Sequence, residues 1–270
     1  MTEPSRRPVA RPLVLVTGAS SGIGRELACL FADAGYDLVI CAEDAGIEQV
    51  GAELSDRGGT VEVVRADLAT CEGVEQLAAR FGADRRTPDA IVLNAGVGLG
   101  RGFLEQDIGR ILEVINLNIA GTVHLAHRLL PAMVSRGNGQ VMITSSVAAR
   151  VPGSYQAVYN ASKAFLQSFA EAIRDELLHT GVTVTALQPG PTDTNFFHRA
   201  GMDDTKLAQD DKASAADVAR EGYEAMLAGK DHVIAGSLKV KAQAAIAQIT
   251  PEPLKAEQHR RVAEPGSANE

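Results

Sequence analysis

Short apolar runs alternate with longer helical stretches along most of this chain, and no other feature restricts its architecture as strongly. Strands are expected at 13–17, 37–42, 60–65, 90–94, 140–145, 183–188 and 232–234. Helices are expected at 23–34, 45–57, 72–81, 108–136, 157–180 and 215–228. Such repetition implies βαβ units and a parallel sheet. The strand runs, such as Leu13-Val14-Leu15-Val16, are continuously apolar, as strands covered on both faces must be. Right-handed crossovers then give an α/β fold, a doubly wound parallel sheet with helices on both faces.

One domain is expected from 270 residues. Its body runs over 13–250. A Pro- and Arg-rich N-terminal tail (1–12) precedes it, and a C-terminal tail (251–270) carrying a short charged helix at 254–263 follows. With 45% hydrophobic and 22% charged residues the chain can bury a core and is not compositionally disordered. A net charge of −8 argues against nucleic acid and an anionic membrane surface as partners. No apolar run approaches the roughly 20 residues that span a bilayer. The N-terminus has no apolar signal region, and Cys29, Cys41 and Cys71 show no metal-ligand spacing. The expectation is a cytoplasmic protein with no metal site, acting on a small molecule.

The first strand runs into Thr17-Gly18-Ala19-Ser20-Ser21-Gly22-Ile23-Gly24, and a helix follows. Gly18 permits a tight turn, Gly22 lets backbone approach a pyrophosphate, and Gly24 allows close helix–strand packing. The helix N-terminus then offers free N–H groups and a positive dipole end to phosphates. The second strand ends in Ala42-Glu43-Asp44. A carboxylate there accepts hydrogen bonds from adenosine ribose hydroxyls and repels a 2′-phosphate. Glu43 is the first candidate and Asp44 the second, with Arg25 as a competing phosphate partner. Asp67, after the third strand, either binds the adenine amino group or caps the next helix.

Tyr159 and Lys163, four apart, share one helical face. A nearby ammonium favours the phenolate, so the hydroxyl can exchange a proton with an alcohol or carbonyl. Tyr155 has Tyr159 four residues on, not a lysine, and is set aside. Ser145 and Ser146 close the strand before that helix, where ligands bind in such sheets. No Asp/His partner makes either serine a nucleophile. His124 and His127 suit packing better than a metal. His198 sits in a stretch that also holds the acidic run Asp203 to Asp211, which reads as a solvated, mobile lid.

These motifs together resemble the short-chain dehydrogenase/reductase family over about residues 13–235. They are Thr17 to Gly24, Asp67-Leu68, Asn94-Ala95-Gly96, Asn118 with Gly121, Ser145-Ser146, Tyr159-x-x-x-Lys163 and Pro189-Gly190-Pro191-Thr192-Asp193-Thr194. The resemblance implies a single Rossmann-type domain and a nicotinamide-linked oxidoreductase acting on a secondary alcohol or ketone. Tyr159 would be the acid/base. Lys163 would tune it and hold the nicotinamide ribose, Ser146 would orient the substrate oxygen, and Asn118 would hold a relay water. Gly18, Ser20, Ser21, Gly22, Ile23, Gly24, Glu43, Asp67, Leu68, Asn94, Ala95, Gly96, Pro189, Gly190, Thr192 and Thr194 would bind the cofactor. Residues 195–212 would form a substrate lid with Phe196, Phe197 and Met202 as an apolar wall. NADP-preferring relatives often carry arginine where Glu43 stands or a basic residue where Ser21 stands, so NAD is favoured, with NADP as the alternative. A homodimer or homotetramer through helices 108–136 and 157–180 is implied, with Leu125, Leu129 and Met133 facing either the partner or the sheet. A non-catalytic nucleotide-binding regulator and a lyase or epimerase using the cofactor transiently are the competing functions.

Overall fold

Seven strands pair in parallel in the order β3-β2-β1-β4-β5-β6-β9. They are β1 (Leu13–Thr17), β2 (Asp37–Ala42), β3 (Val61–Arg65), β4 (Ala90–Leu93), β5 (Gly139–Thr144), β6 (Val182–Pro189) and β9 (His232–Ala235). The structure is a computed structural model that describes residues 11–82, 86–247 and 249–269. Most of the expected N-terminal tail, residues 1–10, lies outside the described residues. The chain winds outward from β1 to β3, returns to β4 on the other side of β1, and winds the opposite way. Strand order therefore reverses between β1 and β4, and a crevice opens at their carboxyl ends.

Strands β1 to β6 feed two cores, because successive side chains point to opposite faces. Val14 and Val16 pack with Leu27 and Phe31 of α1 (Gly22–Asp33), Leu54 of α2 (Gly46–Ser55) and Met226 of α9 (Ala215–Leu227). Leu13 and Leu15 pack on the other face. Their partners include Leu77 of α3 (Cys71–Ala78), Leu125 and Met133 of α5 (Thr122–Arg136), and Leu166 of α6 (Ala157–Glu176). The continuous apolar runs in the sequence record this double burial.

The expected helix 108–136 is interrupted. It divides into α4 (Ile108–Ile115), a π-helical turn Asn116–Gly121, and α5. Gly121 explains the place: a Cβ there would stand 2.2 Å from the Leu68 carbonyl oxygen. The extra residue lets the backbone settle on that loop, and it buries Asn118 completely. Leu125, Leu129 and Met133 face the sheet and do not form a partner surface. The exposed apolar residues of these helices are Ile108 and Leu112 on α4 and Phe165 on α6.

Beyond β6 the chain forms short regular elements, and the acidic run stays at the surface. β7 (Thr192–Asp193) pairs with β8 (Ala213–Ser214), and between them lie α7 (Phe196–Arg199) and α8 (Lys206–Gln209). The acidic run is tied down: Asp204 pairs with Arg101 at 3.0 Å, and Asp210 with Lys239 at 3.0 Å. Lys239 belongs to α10 (Leu238–Ala247), a helix the sequence pattern does not announce. Residues 252–263, expected within a tail, form α11 (Glu252–Ala263) and fold back onto the lid. Ala263 joins Phe197, Ala200, Met202 and Ala208 in a small core, and the buried Lys255 donates to the Arg150 carbonyl at 3.0 Å. Pro253 starts this helix where a missing N–H does no harm. Among the described residues no helix is long and apolar enough to cross a membrane.

Candidate active site

Gly18 and Gly22 turn the chain from β1 into α1 with φ of +66° and +56°, a left-handed backbone that disfavours side chains. A Cβ on Gly24 would stand 2.2 Å from the Gly18 carbonyl oxygen, so only glycine lets α1 start this close. Ser21 precedes α1 without capping it, which leaves the first N–H groups facing the crevice. Thr17 and Asn94 fasten the turn to its neighbours. Thr17 Oγ1 accepts from the Asn94 and Ala95 amides at 2.9 and 3.0 Å. Asn94 Nδ2 donates to the Thr17 carbonyl at 3.1 Å, and Thr144 Oγ1 donates to Asn94 Oδ1 at 3.2 Å. The turn is thus fixed before any ligand arrives.

One end of the crevice is acidic. Glu43, Asp44 and Asp67 all line it. Ser20 Oγ donates to Asp44 at 2.6 Å and the Gly46 amide donates to the other Asp44 oxygen at 2.9 Å, so Asp44 is committed. The Glu43 side chain is the freer one, and burial, then the Asp67 charge, raises its pKa. Asp67 accepts from the Ala69 amide at 2.9 Å. Thr70, not Asp67, caps α3. Arg25 is turned to the surface, paired with Glu26 and Glu53 at 2.9 and 2.8 Å.

At the carboxyl end of β5, Ser146, Tyr159 and Lys163 converge. Ser146 Oγ donates to the Pro189 carbonyl at 3.3 Å. Lys163 Nζ donates to the Thr144 carbonyl at 2.8 Å and lies 5.8 Å from the Tyr159 ring centroid. Burial pushes Tyr159 up to about 12, against the opposing effect of the neighbouring Ser146 hydroxyl. Burial also pulls Lys163 down to about 8. The expected lowering of Tyr159 by the lysine is therefore not what dominates, because the ammonium sits over the ring and desolvation outweighs it. The hydroxyl is held in its protonated, proton-donating form.

Most expected cofactor residues line this crevice: Gly18, Ser20, Ser21, Gly22, Ile23, Glu43, Asp67, Leu68, Asn94, Ala95, Gly96, Pro189, Gly190, Thr192 and Thr194. Gly24 and Asn118 stand behind its wall. Asn118 bridges elements: its Oδ1 accepts from the Val97 amide at 2.9 Å, and its Nδ2 donates to the Val97 carbonyl and Ser162 Oγ, both at 3.0 Å. The lid closes one side. Thr194 lies against Gly22, and the Phe196 ring centroid is 5.1 Å from that of Tyr159. Phe197 also lines the crevice, whereas Met202 packs on Gly100. His198 pairs with Asp203 at 2.8 Å on the lid surface, away from the crevice, and His124 pairs with Glu75 at 2.7 Å. Sequence reasoning missed Gln156, Arg199 and His259, all of which line the crevice. No motif marks them: Gln156 immediately precedes α6, whereas Arg199 and His259 arrive by the folding of α7 and α11.

A family model described as short chain dehydrogenase matches residues 12–205. "Probable oxidoreductase EphD" of Mycobacterium tuberculosis is 37% identical over 202 residues, covering 72% of this chain and 34% of the relative. The chain thus spans about a third of the length of that relative. "Dehydrogenase/reductase SDR family member 7B" of Danio rerio is 31% identical over 247 residues, covering 86% of this chain and 80% of that protein. Among solved structures, a short-chain dehydrogenase from Sphingobium yanoikuyae in complex with NADPH is similar, with a TM-score of 0.80 and 30% identity. It covers 88% of this chain and 92% of that one.

Proposed function

The chain belongs to the short-chain dehydrogenase/reductase family of NAD(P)-dependent oxidoreductases, and from that premise we propose that it interconverts a ketone and a secondary alcohol, with Tyr159 as the acid/base and NAD as the preferred cofactor. The observation that carries this reading is the convergence of Ser146, Tyr159 and Lys163 beside the glycine turn. The turn fits a dinucleotide: side chains at Gly18 or Gly22 would collide with Ala95 or Thr194, and α1 offers uncapped N–H groups to a diphosphate.

A nicotinamide held in this crevice would supply the hydride. The chain does the rest. Ser146, whose hydroxyl donates to the Pro189 carbonyl here, would turn that hydroxyl to the substrate oxygen and fix its position. Tyr159, protonated through the neutral range, gives that oxygen a proton as negative charge develops on it. Lys163 is held near both by the Thr144 carbonyl and would hold the nicotinamide ribose. Asn118 is a positioning residue: it pins the Val97 segment to α6 and backs Gly96, where a Cβ would stand 3.1 Å from its Oδ1. Phe196 excludes water from the Tyr159 ring face. Unpaired thiols at Cys29, Cys41 and Cys71 support a cytoplasmic location.

Tyr159→Phe tests the assignment. Turnover should fall about 10²–10⁴-fold, the usual contribution of a positioned proton donor, while cofactor affinity stays close to wild type. Near-normal turnover would remove Tyr159 from its role.

A further inference from the structure

The premise is the ketone/alcohol reading of the crevice, and a second polar pair on its wall bears on what else of the substrate is held. α11 folds back so that His259 lines the crevice that also holds Tyr159 and Ser146. His259 Nδ1 lies 3.0 Å from the Ser154 carbonyl oxygen. A carbonyl only accepts, so Nδ1 carries the proton, and in the neutral ring Nε2 is a bare acceptor. Burial favours that neutral ring and holds its pKa below the ordinary value, with the Ser154 bond opposing.

Gln156 stands two residues after Ser154 and three before Tyr159, on the same wall. It is 2% exposed. Among the described residues its hydrogen bonds are main-chain ones, from its amide to Gly153 and from Asn160 to its carbonyl. A primary amide buried this deeply is normally paired, and the crevice is the direction from which a partner can come. The neighbouring walls, Val151, Phe196 and Leu207, are apolar.

We propose that Gln156 and His259 form a second polar subsite, which takes a neutral hydrogen-bond donor of the substrate, a hydroxyl or amide N–H, separated from the reacting carbonyl by an apolar stretch. His259 Nε2 accepts from that group, and where the group is a hydroxyl Gln156 Nε2 donates to its oxygen. The substrate class is then an otherwise apolar ketone or secondary alcohol carrying one distant donor.

The test uses the full chain with oxidised cofactor bound. Methyl ketones of increasing length are compared with the same ketones bearing a terminal hydroxyl. Calorimetry gives Kd for each pair, and reduction by reduced cofactor gives kcat/KM. At one length the hydroxyketone should bind about tenfold more tightly than its plain partner, the scale of one well-made hydrogen bond. In His259→Phe and Gln156→Leu that ratio should collapse to about one, and His259→Gln, which keeps an acceptor, should recover part of it. Equal affinity for both members at every length overturns the subsite, as does a variant effect that falls equally on both members. Failure of either ketone to bind also overturns it. If the tenfold binding preference holds but no ketone is reduced, the subsite stands and the reaction assignment fails.

Discussion

Lys163 places an ammonium where burial disfavours it most. It is 5% exposed and donates to one carbonyl, and its pKa falls from 10.5 to about 8. The folded chain binds this proton more weakly than the unfolded chain does. Its contribution therefore opposes folding below about pH 8, and that penalty fades as pH rises from 8 to 10.5. Lys163→Met should stabilise the cofactor-free protein by about 1–3 kcal/mol at pH 7, after allowance for the abandoned Thr144 carbonyl. Urea unfolding at pH 7 and pH 10 checks this; a variant less stable than wild type at pH 7, or a gap that widens toward pH 10, contradicts it. On the proposed reading, Glu43 would carry the cofactor choice. With Asp44 occupied by Ser20 and Gly46, and Arg25 held by Glu53, Glu43 meets a 2′-phosphate as a like charge. At about 4 Å and intermediate dielectric that repulsion is a few kcal/mol before screening. Titration should give NAD a preference of about tenfold to a hundredfold, reduced or reversed in Glu43→Arg. An unchanged ratio in the variant would show that the choice is made elsewhere. Tyr159, Lys163, Ser146 and Glu43, all named from the sequence, line one crevice in the fold. The Tyr159 pKa was not legible in the sequence, because it depends on how completely the fold excludes water from one hydroxyl.

At the scale of elements, the central strands β1, β2 and β4 were readable because burial on both faces leaves their runs almost wholly apolar. The π-helical turn at Asn116–Gly121 was not, because the cause lies in Leu68, far away in sequence. α11 was visible as a short charged helix but not as part of the site. It buries little beyond Lys255 and Ala263, so no apolar stripe betrays the face it docks. Leu125, Leu129 and Met133 show the reverse limit: their spacing marks a buried face without saying what covers it. If copies of this chain assemble through α4 and α6, as proposed from the sequence, the exposed Ile108, Leu112 and Phe165 would form the contact. Light scattering at micromolar concentration should give two or four times 28.4 kDa, and paired Leu112→Glu and Phe165→Glu changes should shift it toward one chain. A wild-type mass of one chain contradicts assembly through these helices.

For the whole molecule, the doubly wound sheet does one thing that matters to the chemistry. Its strand order reverses between β1 and β4, and the resulting crevice brings the phosphate turn, the Ser146–Tyr159–Lys163 group and the lid to one place. A regulator that only senses nucleotide, or a lyase or epimerase that borrows the cofactor, could share that shape, since fold alone does not settle reaction. What separates them is the fate of the hydride. Reduced cofactor carrying deuterium at its transferable position, incubated with a panel of ketones and the wild-type chain, decides between them. Mass spectrometry of the product should find the deuterium on the carbinol carbon, with one cofactor oxidised for each alcohol formed. A changed substrate without the label and with the cofactor unoxidised, or no conversion of any ketone by cofactor-loaded protein, would contradict the account.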